Sequence, residues 1–101
     1  MYSIRYLSSF NDWLRNIKHR PTKIRLLRRL DRVKHGNLGD VKPVAKGVFE
    51  MREFFGPGWR MYYVWSSSTA LVMLKGGDKS TQKQDVTSAI ALANSVRGVI
   101  Q

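Results

Sequence analysis

Four polar side chains recur at alternate positions of two neighbouring β-prone stretches, Glu50 and Arg52 in VFEMR and Arg60 and Tyr62 in WRMYYVW. Because successive residues of a strand point to opposite faces, a hairpin that aligns the two stretches gathers all four on one face. Guanidinium groups bind phosphate oxygens through paired, charge-assisted hydrogen bonds. Two such groups beside a carboxylate and a phenol therefore predict a sheet face that holds phosphates.

A further cation, Lys79, follows the last β-prone stretch in the segment GGDKSTQ. Thr81 and Gln84 have the spacing of a capping box, which predicts a helix that begins at about Gln82. The free N–H groups at a helix start attract anions, and Lys79 stands just before them. The segment lacks the full Gly-x-x-x-x-Gly-Lys-Ser/Thr pattern, so we predict an anion-binding corner and not a nucleoside-triphosphate loop.

Three consecutive strands must position these groups, and turn residues separate them. The Gly-Pro-Gly sequence at residues 56–58 supplies the backbone angles of a reversal, and three serines at residues 66–68 mark a second turn. The large side chains of WRMYYVW alternate with Arg60 and Tyr62 and are expected to meet helices, which leaves the phosphate-binding face open. These large residues are Trp59, Met61, Tyr63 and Trp65.

Apolar residues at helical spacing predict three helices around this sheet. The three stripes are Phe10, Trp13, Leu14 and Ile17; Leu26, Leu27, Leu30 and Val33; and Val86, Ala89, Ile90, Ala93 and Val96. Residues 2–7 are β-prone and predict a short outer strand, whereas residues 37–43 predict a loop. The prediction is one α+β domain over residues 1–101. It has an antiparallel-dominated sheet of three or four strands, two N-terminal helices packed on one face, and a C-terminal helix.

The second helix is predicted to carry a concentrated basic face. Its members are Arg25, Arg28, Arg29 and Arg32. Only Asp31 lies nearby to neutralise them, and like charges at helical spacing repel one another. We therefore expect this face to contact an RNA backbone or an acidic protein. Lys42 and Lys46 flank the next strand and are either phosphate contacts or ordinary exposed lysines.

The chain carries a net charge of +11 in 101 residues. Such an excess strains the compact state by self-repulsion, which indicates a polyanionic or acidic partner. Cysteine is absent and histidine occurs only at positions 19 and 35, so neither disulfides nor a zinc site are predicted. No apolar run approaches the roughly 20 residues that span a bilayer, and MYSIRYLSSF lacks the apolar centre of a secretory signal. We expect a cytoplasmic protein with no cofactor, no metal and no membrane contact.

Several motifs in a fixed order resemble a known family. They are FNDWL in the first helix, GNLGDVKPVAKGVFEMR, GPGWR and GGDKSTQ, which together extend over nearly the whole chain. The sequence resembles the RelE/ParE toxin superfamily and, more narrowly, its HigB-like, phage Gp49-like addiction module killer branch. The resemblance implies the toxin of a type II toxin–antitoxin system, which inhibits translation as a ribosome-dependent, metal-independent mRNA endoribonuclease, or mRNA interferase. It also implies a cognate helix-turn-helix antitoxin, contact with ribosome and mRNA, and contact with promoter DNA only through the antitoxin.

Carried over by position, the resemblance implies catalytic roles for Arg52, Arg60 and Lys79. A 2′-hydroxyl attacks the adjacent phosphate, and the arginines steady the charge on the phosphoryl oxygens while Lys79 does likewise or protonates the leaving oxygen. Tyr62 stacks on a base or orients the hydroxyl. Glu50 is either the general base or an ion-pair partner of an arginine, because the final segment QDVTSAIALANSVRGVIQ contains no Tyr or His for the task.

Two other functions remain compatible with the sequence. One is a non-enzymatic poison of the same fold, like the ParE branch, which binds DNA gyrase. The other is a plain RNA-binding module without toxicity. The basic sheet face favours the ribonuclease, and the lack of exposed aromatic pairs of the RRM type counts against the module.

Overall fold

The computed structural model describes the backbone of residues 1–100 and the side chains of residues 1–97. Five strands and three α-helices follow one another along the chain, with one 3-10 turn before the last helix. In order they are β1 Ser3–Tyr6, α1 Ser8–Arg15, α2 Arg20–Lys34, β2 Val41–Ala45, β3 Val48–Arg52, β4 Trp59–Ser67, β5 Ala70–Asp78, the 3-10 turn Lys79–Thr81 and α3 Gln82–Ile100. The predicted start of the last helix at Gln82 is confirmed.

The strands form one mixed sheet in the order β1-β5-β4-β3-β2. Strands β2 to β5 form an antiparallel meander, and β1 adds to β5 in parallel. The predicted run of three strands and the outer N-terminal strand are confirmed. The predicted strand count is too low because β2 was expected to be a loop. Pro43 is tolerated there because β2 is an edge strand, in which a missing N–H costs no internal hydrogen bond, and its register shifts between Pro43 and Ala45.

Helices α1 and α2 cover one face of the sheet. Phe10 of α1, Ile17 of the segment after α1, and Leu26, Leu30 and Val33 of α2 pack in one apolar cluster, so the predicted stripe of the first helix continues beyond the helix end at Arg15. The strands contribute Met51, Met61, Tyr63, Leu71 and Met73 to it, with Trp59 and Trp65 packed against its edge. The prediction that the large residues of β4 meet the N-terminal helices is therefore confirmed. Leu27 is an exception in α2, because its side chain is exposed.

Helix α3 covers the opposite face, which was expected to be open. Ala89, Ala93 and Val96 of α3 pack against a second cluster of strand residues that includes Val48, Tyr62, Val64, Val72 and Leu74. The short alanine side chains let the helix lie close to the sheet. The sheet is thus the middle of three layers, and Arg52 and Arg60 lie at the end of the sheet where α3 begins. Among the helices of the described residues, none is long and apolar enough to cross a membrane.

Candidate nucleic-acid interface

The strand register brings the predicted arginines directly opposite each other. Arg52 of β3 pairs with Arg60 of β4, and Arg60 in turn lies opposite Gly77 of β5. Glu50 and Tyr62 form the next pair on the same face, so the hairpin register predicted from alternate spacing is the observed one. These residues lie at the end of the sheet where α3 begins.

Arg60 is held tightly and is only 6% exposed. Its Nη1 donates to the carbonyl oxygens of Glu53 at 3.3 Å and Trp59 at 3.2 Å. Its Nε lies 3.8 Å from Glu50 Oε1 and, although buried, has no hydrogen-bond partner among the described residues. The Glu50 carboxylate and the two carbonyls therefore hold the Arg60 guanidinium in place.

Glu50 is 1% exposed and accepts two hydrogen bonds from Gln82 Nε2, at 3.0 and 3.2 Å. The donor comes from the first residue of α3, so the final helix fixes the carboxylate that faces Arg60. A carboxylate enclosed in this way is not open to a substrate hydroxyl. Of the two roles expected for Glu50, the geometry favours the ion-pair partner of Arg60 over the general base.

Tyr62 lies beneath α3 and is fully buried. Its hydroxyl has no hydrogen-bond partner among the described residues. Burial, with the negative charge of Glu50 as a smaller cause, raises the pKa of Tyr62 well above its ordinary value. The expectation that Tyr62 stacks on a base or orients a hydroxyl is therefore wrong, because no substrate can reach the ring.

Arg52 is more accessible, with 29% of its side chain exposed. Its Nη2 donates to Asp40 Oδ1 at 3.0 Å, and its backbone N–H donates to the Asp40 carbonyl at 3.0 Å. The hydrogen bond to Asp40 raises the pKa of Arg52, so the guanidinium stays charged. Its buried Nε has no hydrogen-bond partner among residues 1–97. Arg52 is thus positioned by one acidic residue and still has donor capacity.

Lys79 approaches the same place from the 3-10 turn. Its side chain is exposed, and its backbone N–H donates to the Pro57 carbonyl at 3.4 Å. A Cβ atom added to Gly58 would lie 3.3 Å from Lys79 Cβ and 3.5 Å from Arg60 Nη1, so the base of the Lys79 side chain and the Arg60 guanidinium border this glycine. Gly58 also has a φ of 79°, a backbone angle that favours glycine. The corner predicted before α3 therefore adjoins the arginine pair.

The first turn of α3 is fastened to the sheet by a charged network. Lys75 Nζ lies 2.9 Å from Asp85 Oδ1, and Thr81 Oγ1 donates to Asp85 Oδ2 at 2.6 Å. Gly77 lies directly beneath Asp85, and a Cβ at that position would overlap the carboxylate. The glycine therefore lets α3 start close to Arg60.

The basic face of α2 divides into two kinds of residue. Arg25, Arg28 and Arg32 are exposed and line a pocket with Glu53, and the Arg25 guanidinium lies 3.6 Å above the Phe55 ring. These three arginines adjoin the loop that follows Arg52. They therefore extend the positive surface away from the arginine pair.

Arg29 is 4% exposed and all three of its guanidinium nitrogens bind protein oxygens, so its expected role as an RNA contact is wrong. Its guanidinium donates to the carbonyl oxygens of Leu38, Asp40 and Arg52 at 2.8 to 3.2 Å, and to Glu53 Oε1 at 3.2 Å. It is enclosed because the loop after α2 folds back over it. Arg29 therefore ties α2 to the backbone that carries Asp40 and Arg52.

The two lysines near β2 differ in how close they lie to this site. Lys42 is exposed on the edge strand, opposite Glu50 in the register. Lys46 lies at the turn before β3, at the opposite end of that strand from Arg52, and its carbonyl accepts a hydrogen bond from Arg97 Nη2 at 2.7 Å. The structure thus brings Arg52, Arg60 and Lys79 together and leaves Lys46 apart.

Residues that the sequence did not single out complete the site. Asp40 orients Arg52, Gln82 holds Glu50, and the Phe54 ring stands beside both arginines. Gln82 was recognisable only as a helix start, and Phe54 as one of two adjacent phenylalanines. Within the described residues no group of three or more His, Cys, Asp or Glu side chains is placed to hold a metal ion.

Comparison with known proteins identifies proteins that resemble this chain in sequence or in fold. A chain of the toxin–antitoxin complex RelBE2 from Mycobacterium tuberculosis has a similar fold, with a TM-score of 0.53 and 20% identity over 77% of this chain and 98% of that chain. An uncharacterized protein of Haemophilus influenzae is 38% identical over 88 residues, which are 87% of this chain and 89% of that protein. The family described as phage derived protein Gp49-like (DUF891) matches residues 12–96. The chain therefore belongs to the Gp49-like family, as its sequence motifs predicted.

Proposed function

We propose that this protein is the toxin of a type II toxin–antitoxin system and that it cleaves mRNA without a metal ion, on the ribosome. The observation that carries the proposal is the cross-strand pair Arg52 and Arg60, which the register sets side by side at the end of the sheet next to Lys79. Two fixed guanidiniums with a neighbouring lysine are suited to a phosphodiester. Membership of the Gp49-like family and the fold shared with a chain of a toxin–antitoxin complex support the same conclusion.

The proposed chemistry is an in-line transfer within one nucleotide linkage. The 2′-oxygen gives its proton to water and bonds to the adjacent phosphorus, the bond from phosphorus to the 5′-oxygen breaks, and the 5′-oxygen takes up a proton, which leaves a 2′,3′-cyclic phosphate and a 5′-hydroxyl. Negative charge grows on the non-bridging oxygens during this step, and fixed cations stabilise it more than they stabilise the substrate. Arg52 and Arg60 supply that stabilisation, and Lys79 adds a third cation or protonates the leaving oxygen.

Glu50 serves this reaction indirectly in our proposal. Its buried carboxylate faces Arg60 Nε at 3.8 Å and is held by Gln82. It thereby keeps the Arg60 guanidinium in one orientation, and preorganised donors are the ones that lower a barrier effectively. We assign Glu50 this positioning role and assign no residue of the chain the role of general base.

The positive surface beyond the arginine pair supports an RNA substrate. Arg25, Arg28 and Arg32 line a pocket with Glu53, the residue that follows Arg52, so a strand whose phosphate lies at the pair can continue round that end of the sheet towards them. Phosphate contacts of this kind fix the position of a strand and carry no base preference. This track favours RNA over the gyrase-binding alternative.

The proposed partners follow from the same assignment. A cognate antitoxin, typically of the helix-turn-helix type, binds the toxin and carries the contact with promoter DNA. Ribosome and mRNA are the targets, and the net charge of +11 suits both nucleic acid and an acidic antitoxin.

Induction of the protein in bacteria, followed by mapping of mRNA 5′ ends, tests the proposal. We expect new ends within codons. Arg52→Ala should reduce cleavage roughly 100- to 1000-fold, the usual loss for one transition-state donor. The exposed Arg15→Ala on α1 is the matched control and should cleave like wild type. Intact mRNA together with a DNA-damage response would instead identify gyrase as the target and refute the ribonuclease.

A further inference from the structure

Phe54 is an apolar side chain that core packing does not explain. It lies in the loop at residues 53–58 between β3 and β4 and is 72% exposed. Its neighbour Phe55 packs against the cluster beneath α1 and α2 and lies under the Arg25 guanidinium. Of two adjacent phenylalanines, one is therefore part of the fold and the other stands in solvent.

The exposed ring is held beside the arginine pair. The Cζ atoms of Arg52 and Arg60 lie 5.6 and 5.8 Å from the centroid of the Phe54 ring. Both distances are within the roughly 6 Å at which a cation is attracted to an aromatic face. The ring therefore stands at the entrance to the two guanidiniums.

The loop that carries Phe54 is fixed by hydrogen bonds on both sides. The Glu53 N–H donates to the Trp59 carbonyl at 3.0 Å, and the Gly58 N–H donates to the Phe55 carbonyl at 3.1 Å. Arg60 Nη1 also donates to the carbonyl of Glu53, the residue just before Phe54. The backbone that carries the ring is thus fixed relative to Arg60.

We propose that Phe54 is the stacking platform for the nucleobase next to the scissile phosphate of a single-stranded RNA, an inference that rests on the proposed function. A nucleotide joins an anion to a flat aromatic ring through one sugar, and this site joins two cations to a flat aromatic ring through one short loop. A phosphate at Arg52 and Arg60 carries its base towards Phe54. Stacking on an aromatic ring accepts every base, so the platform adds affinity and position with little sequence preference.

Binding of a short RNA with 2′-O-methyl groups throughout, which cannot be cleaved, tests the platform directly. A single 2-aminopurine placed at successive positions reports stacking by the quenching of its fluorescence. Wild type should quench it at one position. Phe54→Leu should abolish that quenching and weaken binding roughly 5- to 150-fold, which corresponds to a stacking energy of about 1 to 3 kcal/mol. Phe54→Trp should retain both signals.

Cleavage of a reporter mRNA in a translating extract is the second measurement, because a ribosome-dependent enzyme acts there. Phe54→Leu should slow cleavage by a similar factor, and Phe54→Trp should not. Leu27→Ala removes another exposed apolar side chain, from α2, and should change neither binding nor cleavage.

The outcomes separate the platform from the proposed function. If Phe54→Leu binds and cleaves like wild type while Arg52→Ala loses both, the platform is refuted and the ribonuclease stands. If wild type neither binds nor cleaves RNA in either assay, the proposed function fails and the platform fails with it. If Phe54→Leu retains RNA cleavage but loses its complex with the cognate antitoxin, the ring is a protein contact, and the platform is refuted.

Discussion

Arg29 provides the sharpest test of how the site is held, because it was expected to be one of four equivalent surface arginines. In Arg29→Met the side chain keeps much of its length and loses every donor. The carbonyls of Leu38, Asp40 and Arg52, and the carboxylate of Glu53, then lose their partner. Removal of one partner of a buried charged pair typically costs about 3 to 5 kcal/mol. We expect about 3 kcal/mol, because Glu53 is partly exposed and can be rehydrated.

The matched control is Arg28→Met, one residue earlier in the same helix. That side chain is exposed, so its loss should change the free energy of unfolding by no more than about 0.5 kcal/mol. Urea unfolding followed by tryptophan fluorescence measures both, and cell-free synthesis avoids growth arrest during production. With an m-value of about 1 to 3 kcal/mol per molar urea, the Arg29 variant should unfold roughly 1 to 3 M earlier. Equal midpoints for the two variants would refute the reasoning.

Four further predictions follow from the site. Tyr62→Phe removes a buried hydroxyl without a partner, so it should retain mRNA cleavage and raise the free energy of unfolding by about 1 kcal/mol in urea titrations. Burial raises the pKa of Tyr63 to about 12, so the folded state holds this proton more tightly than the unfolded chain. The contribution of this proton to the free energy of unfolding is fully present below about pH 10 and should be lost towards pH 12. In alkaline unfolding followed by circular dichroism, Tyr63→Phe should therefore lose less stability over this range than the wild type. Gly77→Ala forces a methyl group against Asp85 and should lower the unfolding free energy by about 1 to 3 kcal/mol, with the thermal midpoint as the measurement. Arg28→Gln should weaken RNA binding and reduce the slope of log affinity against log salt by about 0.7, measured by titration at several salt concentrations.

The hairpin of β3 and β4 was predictable for two reasons. The alternation of polar and apolar residues determines which side chains share a face, and the Gly-Pro-Gly turn determines the register. That is why Arg52 and Arg60 were correctly expected to be neighbours. Strand β2 was missed because Pro43 and the preceding turn residues outweigh its β propensity, and only its edge position makes the proline harmless.

Other features depend on contacts that periodicity does not encode. The apolar stripe of α3 indicates which residues are buried, yet not which face of the sheet they cover, so Tyr62 was wrongly expected to be open. Arg29 and Arg28 are indistinguishable in a helical pattern, and the return of the loop at residues 38–40 alone decides which one is enclosed. The exposure of Phe54 beside two cations likewise arises from tertiary structure.

The parallel pairing of β1 with β5 has a consequence for how the chain matures. Ser3 to Tyr6 pair with Ala70 to Met73, so β1 is synthesised well before β5 and has no partner until β5 exists. Pairings between distant parts of a chain form slowly, and their apolar surfaces stay exposed in the meantime. During translation, β1, α1 and α2 therefore leave the ribosome before strands β2 to β5, and their apolar side chains stay exposed until those strands form the sheet.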